Sequence, residues 1–296
     1  MKEELKGTGV ALVTPMNDDY TTDYQSLKKL LNHIKNGKAD YVVVQGTTGE
    51  SPVISWLEKL KILQFVLDHF NGSMPVVFGH GGNNTFDLID KSKDLKAFNL
   101  AAILSASPYY NKPSQKGIIR HYQLLGDAFP HPIILYNVPS RTASNMEAST
   151  TLALAKHPNI IAMKEASGDL NQCKKIAVNK PDDFMLLSGD DALSYDIIKM
   201  GGEGVISVIG NIMPGAFTNM VNTALNQDFL SAKKMNEQLK SVYDMLSEEG
   251  NPSSLKAGLE ALGLCKRTVK PPLFDASDSL VKKWKEYFES TPPRNI

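Results

Sequence analysis

Short apolar segments alternate along the chain with longer segments in which apolar residues recur every three or four positions. The apolar segments occupy residues 9–13, 41–44, 75–78, 101–104, 132–136, 159–163, 184–187 and 204–208. Segments of this length that are apolar on both faces are typical of buried strands in a parallel sheet.

The segments between the predicted strands carry helix signals. Residues 22–37 repeat leucine and isoleucine at helical spacing and end at Gly37, a residue common at helix C-termini. Residues 55–72 begin with Ser55 and Glu58, which have the spacing of a capping box. Regular alternation of strand and helix predicts a parallel sheet covered by helices.

Eight strand–helix units predict an α/β protein whose strands close into a (β/α)8 barrel, or TIM barrel. Beyond about residue 225 the apolar runs stop, and residues 229–250, 251–264 and 275–290 predict three amphipathic helices. We therefore divide the chain into a catalytic barrel, residues 1–225, and a C-terminal α-helical domain, residues 226–296. The second part should pack directly on the barrel.

Charge and hydropathy narrow the class of protein. The 296 residues contain 32 lysines plus arginines and 32 aspartates plus glutamates, so no net field favours nucleic acid or an anionic membrane. No run of about 18 apolar residues predicts a membrane span, and the first residues lack the apolar core of a secretion signal. We expect a cytoplasmic protein without nucleic-acid or membrane partners.

The residues that commonly hold metals or cofactors show no site pattern. Cys173 and Cys265 lie far apart and should be reduced packing residues. The six histidines show no metal-site spacing, and only His80, in a glycine-rich segment, stands out. No GxGxxG follows the first predicted strand, which gives no support for a dinucleotide site. The sequence thus predicts neither a metal nor a cofactor.

Polar residues follow the predicted strands where active sites of parallel barrels lie, at the carboxyl ends. The second strand leads into Thr47 and Thr48, the fifth ends on Tyr136, and the sixth is followed directly by Lys164. The lysine is unexpected there, because burying an ammonium group is costly. Burial also exposes the amine lone pair as a nucleophile toward carbonyl groups.

Each of these residues also has an ordinary explanation. A lysine after a strand is more often a surface residue whose stem packs on apolar neighbours, and a tyrosine such as Tyr136 is more often part of the core. The grouping of several proton-handling side chains at one end of a barrel favours catalysis, with Tyr136 moving protons for Lys164. A metal-dependent barrel enzyme and a non-catalytic binding barrel are the alternatives from other classes.

Five motifs, in this order, are similar to those of the dihydrodipicolinate synthases, within the superfamily that includes N-acetylneuraminate lyase. They are GTTGES, SPYYNKPSQ, YNVPSRT, MKEASGD and GGEGVISV. The similarity is close over residues 7 to about 215 and looser beyond. It implies condensation of pyruvate with L-aspartate 4-semialdehyde in diaminopimelate and lysine biosynthesis, without a cofactor.

The resemblance implies a role for each residue of the motifs. Lys164 would form the Schiff base with pyruvate, and Tyr136 would be the general acid and base. Thr47 and Tyr110 would complete a proton relay, with Tyr110 reaching in from a neighbouring subunit of a homotetramer built as a dimer of dimers. Thr48 would hold the pyruvate.

Two further positions concern the substrates. The backbone of Ile206 would also hold the pyruvate, and Arg141 would bind the carboxylate of the semialdehyde, which suits its planar guanidinium. Arg141 favours the synthases over N-acetylneuraminate lyase or another pyruvate-dependent aldolase, which remain the alternatives within this chemistry.

The resemblance also implies a candidate allosteric site, where free lysine binds between subunits of inhibited bacterial relatives. It maps onto Ser51, Pro52, Trp56, Lys59, Asn83, Asp87 and Tyr109. Trp56 and Lys59 stand where inhibited enzymes commonly have histidine, and Asp87 where they commonly have glutamate. An extra ammonium at Lys59 would repel a cationic effector, unless Lys59 pairs with Asp87 or is a solvated helix residue. We expect weak or absent inhibition by lysine.

Overall fold

The computed structural model describes residues 3–290, so residues 1–2 and 291–296 of the predicted divisions 1–225 and 226–296 lie outside it. Its centre is a closed barrel in which each parallel strand pairs with the next and the eighth pairs with the first. The strands are β1 (Gly7–Ala11), β2 (Tyr41–Val44), β3 (Val76–Gly79), β4 (Ala102–Ala106), β5 (Ile133–Asn137), β6 (Ile160–Glu165), β7 (Met185–Ser188) and β8 (Gly204–Ser207). The predicted (β/α)8 barrel is confirmed.

Helices surround the barrel and continue beyond its last strand. They are α1 (Tyr24–Asn36), α2 (Trp56–Phe70), α3 (Thr85–Ser92), α4 (Gln115–Ala128), α5 (Pro139–Thr142), α6 (Ala148–Leu154), α7 (Leu170–Asn179), α8 (Ser194–Lys199), α9 (Pro214–Leu225), α10 (Phe229–Gln238), α11 (Lys240–Ser247), α12 (Ser253–Ala261) and α13 (Asp278–Ser290). Side chains cap the N-termini of the first four helices, where Asp23, Ser55, Asn84 and Ser114 each accept a hydrogen bond from a backbone N–H of the first turn.

Strand side chains alternate between the barrel interior and the helix layer. In β2, Val43 belongs to the interior cluster, whereas Val42 and Val44 pack against the helices. The interior is narrow enough that Tyr41 fills it across from Gly9, where an added Cβ would lie 2.1 Å from the tyrosine ring. This alternation decides which residue at each strand end faces the barrel axis.

The capping box predicted for α2 forms only in part. Ser55 accepts a hydrogen bond from the Glu58 backbone N–H at 3.3 Å, as expected. The Glu58 carboxylate bonds instead to the hydroxyls of Thr22 and Tyr24, at 2.8 and 2.9 Å. In a complete capping box the Glu58 side chain would accept the Ser55 backbone N–H. Here it accepts two hydroxyl groups that lie more than 30 residues earlier in the sequence.

The C-terminal part contains four helices within the described residues, not the predicted three. The segment 229–250 divides at Leu239, whose N–H bonds to the carbonyl of Asn236, three residues earlier, in a turn tighter than an α-helix. Ala232, Val242 and other buried residues of the divided segment join the hydrophobic cluster that covers the outside of the barrel. The prediction that the extension packs directly on the barrel is confirmed.

Both cysteines are packing residues, as predicted. Cys173 and Cys265 are buried and unpaired with one another. Burial raises the pKa of each thiol to about 12, which keeps both protonated near neutral pH.

Candidate active site

Lys164 and Tyr136 face each other inside the carboxyl end of the barrel. The two residues are direct partners in the pairing of β5 with β6, so their side chains lie on the same side of the sheet. The Lys164 ammonium nitrogen lies 4.3 Å from the centre of the Tyr136 ring. Lys164 is only 6% exposed and Tyr136 7%, so the predicted pair is brought together in a largely dry position.

The pair borders a cavity of about 190 Å³. Its other lining residues are Ala11, Val43, Gly46, Thr47, Thr48, Leu104, Val138, Ser140, Arg141, Ala166, Gly189, Asp190, Val208 and Asn251. Five of the predicted site residues therefore share one cavity: Thr47, Thr48, Tyr136, Arg141 and Lys164. Its volume suits a small organic acid.

Gly189 gives the lysine its room. A Cβ at this position would lie 3.0 Å from Lys164 Cε and 2.7 Å from the Cβ of Ala166. The distance to Ala166 is shorter than side chains tolerate and the distance to Lys164 is tight, so a larger residue would force this part of the site to shift. Sequence reasoning missed Gly189, although its place directly after β7 was a usable signal.

The residues that follow Tyr136 and Lys164 on their strands are Asn137 and Glu165, which point toward the helix layer. Hydrogen bonds between their side chains join the two strands there. Asn137 Nδ2 donates to both oxygens of Glu165, at 3.0 and 3.1 Å, and Gln172 Nε2 donates to Glu165 at 2.8 Å. The Ser167 N–H donates to the same carboxylate at 2.8 Å. Burial raises the pKa of Glu165, and these hydrogen bonds lower it in part.

Arg141 and Thr48 both contact the C-terminal extension. Arg141 lies on the short helix α5 and its guanidinium donates to the backbone carbonyl of Asn251 at 3.3 Å. Asn251 Nδ2 donates to the Thr48 hydroxyl at 3.0 Å. Asn251 thus lies between two predicted substrate-binding residues, and its distance in sequence concealed it from sequence reasoning.

Two predicted residues lie outside this cavity. Tyr110 is 84% exposed, away from the Lys164 of its own chain. Such a position suits a side chain that serves another subunit, and that role stays a prediction. Ile206 is buried in β8 opposite Gly9, two residues before the cavity-lining Val208. The role of its backbone also stays a prediction.

The candidate allosteric residues share a second, larger cavity of about 580 Å³. It is lined by all seven of them, Ser51, Pro52, Trp56, Lys59, Asn83, Asp87 and Tyr109, and also by Thr47, Tyr136 and Arg141. The larger cavity therefore adjoins the smaller one through residues that line both.

Lys59 is neither paired with Asp87 nor a simple solvated residue. The Asp87 carboxylate binds Lys91 instead, at 2.8 Å. Burial, aided by the nearby Lys91 charge, lowers the pKa of Lys59 to about 8. Its ammonium group has no hydrogen bond or ion pair among residues 3–290. Lys59 therefore brings a largely unneutralised positive charge to the cavity at neutral pH.

Asp191, which follows β7, holds the chain where β8 ends. One carboxylate oxygen accepts the N–H groups of Val208 and Ile209, at 2.9 and 2.8 Å. The other oxygen is buried without a hydrogen-bond partner. Burial raises the pKa of Asp191 to about 6, against the lowering effect of the bonds from Ile209 and Val208. Sequence reasoning missed this residue.

Features of two other protein classes are absent from the described part of the chain. Within residues 3–290, no group of three or more histidine, cysteine, aspartate or glutamate side chains is placed to hold a metal ion. No helix in the same range has the length and apolar character needed to cross a membrane.

A closed barrel with a buried lysine and a tyrosine facing a small cavity at its carboxyl end has the architecture of a barrel enzyme. The chain belongs to the dihydrodipicolinate synthetase family, whose model matches residues 4–290. It is 45% identical over 275 residues to a Flavobacterium psychrophilum protein named 4-hydroxy-tetrahydrodipicolinate synthase, covering 93% of this chain and 94% of that protein.

Solved structures agree with the family assignment. The dihydrodipicolinate synthase of Aquifex aeolicus superposes with a TM-score of 0.92 at 33% identity, covering 96% of this chain and 97% of that one. The enzyme of Cyanidioschyzon merolae, described with lysine bound, also gives 0.92 at 33% identity, covering 97% and 98%. The resemblance found from the motifs is confirmed.

We predict that Asp191 makes the protein less stable as the pH rises. Its folded pKa of about 6 exceeds the ordinary 3.8, so its contribution is complete below pH 3.8 and is lost as the pH rises through 6. Asp191→Asn keeps an acceptor for the two N–H groups and cannot ionise. From pH 4 to pH 7 its free energy of unfolding should rise, relative to wild type, by about 2 to 3 kcal/mol.

Urea denaturation at both pH values measures this difference. The exposed Asp182→Asn is the matched control and should change relative to wild type by less than about 0.5 kcal/mol. A pH-independent difference between Asp191→Asn and wild type would contradict the assignment.

Proposed function

We propose that this protein acts as a 4-hydroxy-tetrahydrodipicolinate synthase, which condenses pyruvate with L-aspartate 4-semialdehyde in diaminopimelate and lysine biosynthesis. The observation that carries the proposal is the buried Lys164, partnered with Tyr136 beside a cavity of about 190 Å³. The family match and the names of the curated relatives support it. The two unpaired, buried cysteines support a cytoplasmic location, where thiols stay reduced.

The chemistry begins at the lysine nitrogen. Lys164 attacks the keto carbon of pyruvate as a neutral amine, and loss of water gives a protonated imine. The imine draws electrons from the methyl group, which loses a proton and becomes the carbon nucleophile of an enamine. That carbon attacks the aldehyde of the semialdehyde, and the substrate's own amine then displaces the lysine and closes the ring. The imine supplies the electron sink, so the proposal needs no cofactor.

Tyr136 is placed to move the protons that these steps require. It is the direct strand partner of Lys164 and lines the same cavity as Thr47. We assign Tyr136 as the general acid and base, with Thr47 and a neighbouring subunit's Tyr110 completing the relay. A positioned proton shuttle typically contributes a factor of about 100 to 10,000 in rate.

Substrate binding uses the polar side of the cavity. Thr48 and the backbone of Ile206 hold the pyruvate carboxylate in this proposal, and Arg141 binds the carboxylate of the semialdehyde. Arg141 is exposed and lines both cavities, so it can meet a substrate entering from solvent. A guanidinium group that forms two hydrogen bonds with a carboxylate distinguishes the semialdehyde from a neutral sugar chain. This preference favours the synthase over N-acetylneuraminate lyase.

We also propose a homotetramer built as a dimer of dimers. Tyr110 is 84% exposed and adopts a left-handed backbone conformation with φ of 75°. An exposed tyrosine in this unusual conformation supports a role at a subunit interface.

The first prediction for this function is a covalent adduct on Lys164. Borohydride reduction in the presence of pyruvate should add about 72 Da, the mass of a reduced imine, to the peptide that contains Lys164. Lys164→Arg should abolish the adduct, and the control variant Lys199→Arg should retain it. An adduct at another lysine, or none, would refute the mechanism.

The aldehyde substrate is tested in the same preparation. Arg141→Ala should raise KM for the semialdehyde by about 10- to 100-fold, as expected for loss of a charge-assisted hydrogen bond, with adduct formation unchanged. Wild-type cleavage of N-acetylneuraminate without turnover of the semialdehyde would instead identify the aldolase alternative.

The second prediction concerns the shared active site. A mixture of Lys164→Arg and Tyr110→Phe subunits, each nearly inactive alone, should recover activity on co-expression. One site in each mixed pair then combines an intact Lys164 with an intact Tyr110 from its neighbour. Sedimentation should give the mass of four chains. No recovery in verified mixed assemblies, or a monomeric mass, would overturn the proposal.

The third prediction is weak or absent inhibition by lysine, although one solved relative is described with lysine bound. The Lys59 ammonium, about 5 Å from a cationic effector, would oppose binding by up to about 3 kcal/mol, or roughly a hundredfold. The Asp87 carboxylate offers little compensation, because it pairs with Lys91.

Initial rates measured across lysine concentrations test this prediction. Wild type should need more than about 1 mM lysine for half-inhibition, and Lys59→Gln should lower that concentration by at least about tenfold. Lys61→Gln, an exposed change on the same helix, is the control. Half-inhibition of wild type below 1 mM would refute the argument from Lys59.

A further inference from the structure

Glu50 and Lys256 form an ion pair buried completely between the barrel and the C-terminal extension. The side chains are both 0% exposed, and Glu50 Oε1 lies 2.6 Å from Lys256 Nζ. Glu50 belongs to the loop that carries Thr47 and Thr48, and Lys256 to α12, more than 200 residues later. Neither residue lines the two cavities described above, so the pair has no assigned place in the chemistry.

The remaining bonding positions of the pair are also taken up by the extension. Lys256 Nζ donates to the Thr268 carbonyl at 2.7 Å. The second oxygen of Glu50 accepts the Lys270 N–H, also at 2.7 Å. Both charges are therefore satisfied by directional bonds, and the carboxylate is fixed at both oxygens.

Stability alone gives a weak reason for such a pair. Removing two charges from water is costly, and apolar residues of similar volume are often as stable or more stable in the same position. A buried carboxylate whose two oxygens both accept hydrogen bonds fixes the position of the backbone that carries it. Glu50 needs this, because its φ of 57° is a left-handed conformation that a side chain disfavours.

The backbone that is held in this way leads directly to Thr47 of the candidate proton relay and Thr48 of the candidate pyruvate site. The Glu50 N–H bonds to the Thr47 carbonyl at 3.0 Å, which closes a turn around Thr48. The Thr14 hydroxyl donates to the Gly49 carbonyl at 2.8 Å. The loop thus has one anchor on the barrel, through Thr14, and two on the extension, through Glu50 and through the bond from Asn251 to the Thr48 hydroxyl.

We propose that Glu50 and Lys256 are positioning residues that hold Thr47 and Thr48 in the geometry needed to bind the keto acid. The inference rests on the proposed function for the identity of that ligand. The C-terminal extension is then part of the active site, because Lys256 on α12 fixes the loop that carries Thr47 and Thr48.

The test removes the link without leaving a single buried charge. The double variant Glu50→Gln/Lys256→Met removes both charges and nearly preserves the volume of the two side chains. The matched control is Lys180→Met/Glu203→Gln at the opposite end of the barrel. There Lys180 Nζ lies 2.6 Å from Glu203 and donates to a carbonyl, while Glu203 accepts a backbone N–H, the same bonding pattern.

Three measurements are made on the folded proteins. The pyruvate concentration for half-maximal borohydride trapping on Lys164 should rise by at least about tenfold in the test variant and less than about twofold in the control. KM for pyruvate should rise more than kcat falls, which a general loss of stability would not produce. Amide hydrogen exchange of residues 46–53, without ligand, should be faster in the test variant only.

The outcomes separate the inference from the proposed function. Unchanged trapping and unchanged exchange in a folded test variant would overturn the positioning role while leaving the function intact. If wild type traps no pyruvate, the function fails, and the exchange of residues 46–53 alone decides whether the pair holds the loop. If the double variant does not fold, Glu50→Asp is used in its place, because it shortens the side chain by one methylene. The pyruvate concentration for half-maximal trapping should then rise by about threefold or more, and amide exchange of residues 46–53 should again be faster.

Discussion

The candidate site depends on the register between two neighbouring strands. β5 and β6 begin paired as Ile133 with Ile160, but the next pair is Ile134 with Ala162, so β6 contains one extra residue at Ile161. Without this bulge the partner of Tyr136 would be Met163. A shift of one residue reverses which side of a sheet each side chain faces. The bulge therefore brings Lys164, and not a methionine, opposite the tyrosine.

The polar cluster behind the strands supports this register. Asn137 and Glu165 are also direct partners, and they meet on the outer side of the barrel, where Asn137 donates to the carboxylate. Asn137 Oδ1 also accepts the Met146 N–H at 2.9 Å, beyond the short helix α5 that carries Arg141. Buried polar groups that are fully bonded specify one arrangement, because any slip leaves them unsatisfied. The hydrogen-bonded pair Asn137 and Glu165, on the outer side of the barrel, thus fixes the alignment of Tyr136 with Lys164 in its interior.

Local sequence patterns predicted the features that arise from short-range physics. The eight strands, the helix ends at Gly37 and Ser55, and the grouping of Thr47, Thr48, Tyr136, Arg141 and Lys164 follow from local sequence signals and from the rule that sites lie at strand carboxyl ends. The bulge at Ile161 has no such signal, because nothing in "NIIAMKE" marks the extra residue. The break at Leu239 was missed for a similar reason, since periodicity continues through a single tightened turn.

Contacts between distant parts of the chain account for the rest of what was missed. Asn251, Lys256 and Lys270 bind a loop some 200 residues earlier, and their own sequence neighbours indicate only an amphipathic helix and a turn.

These contacts also bear on the division at residue 225, which stays a prediction. Leu255 and Trp284 of the extension belong to the same hydrophobic cluster as Leu27 and Val42 of the barrel and its helices. An independently folding unit would have a core of its own. A core shared across the boundary, together with a charged pair that joins α12 to the loop of Thr47 and Thr48, means that unfolding the extension would disturb the cavity as well as the surface it covers. The extension and the active site are therefore expected to lose their structure together, as one cooperative unit.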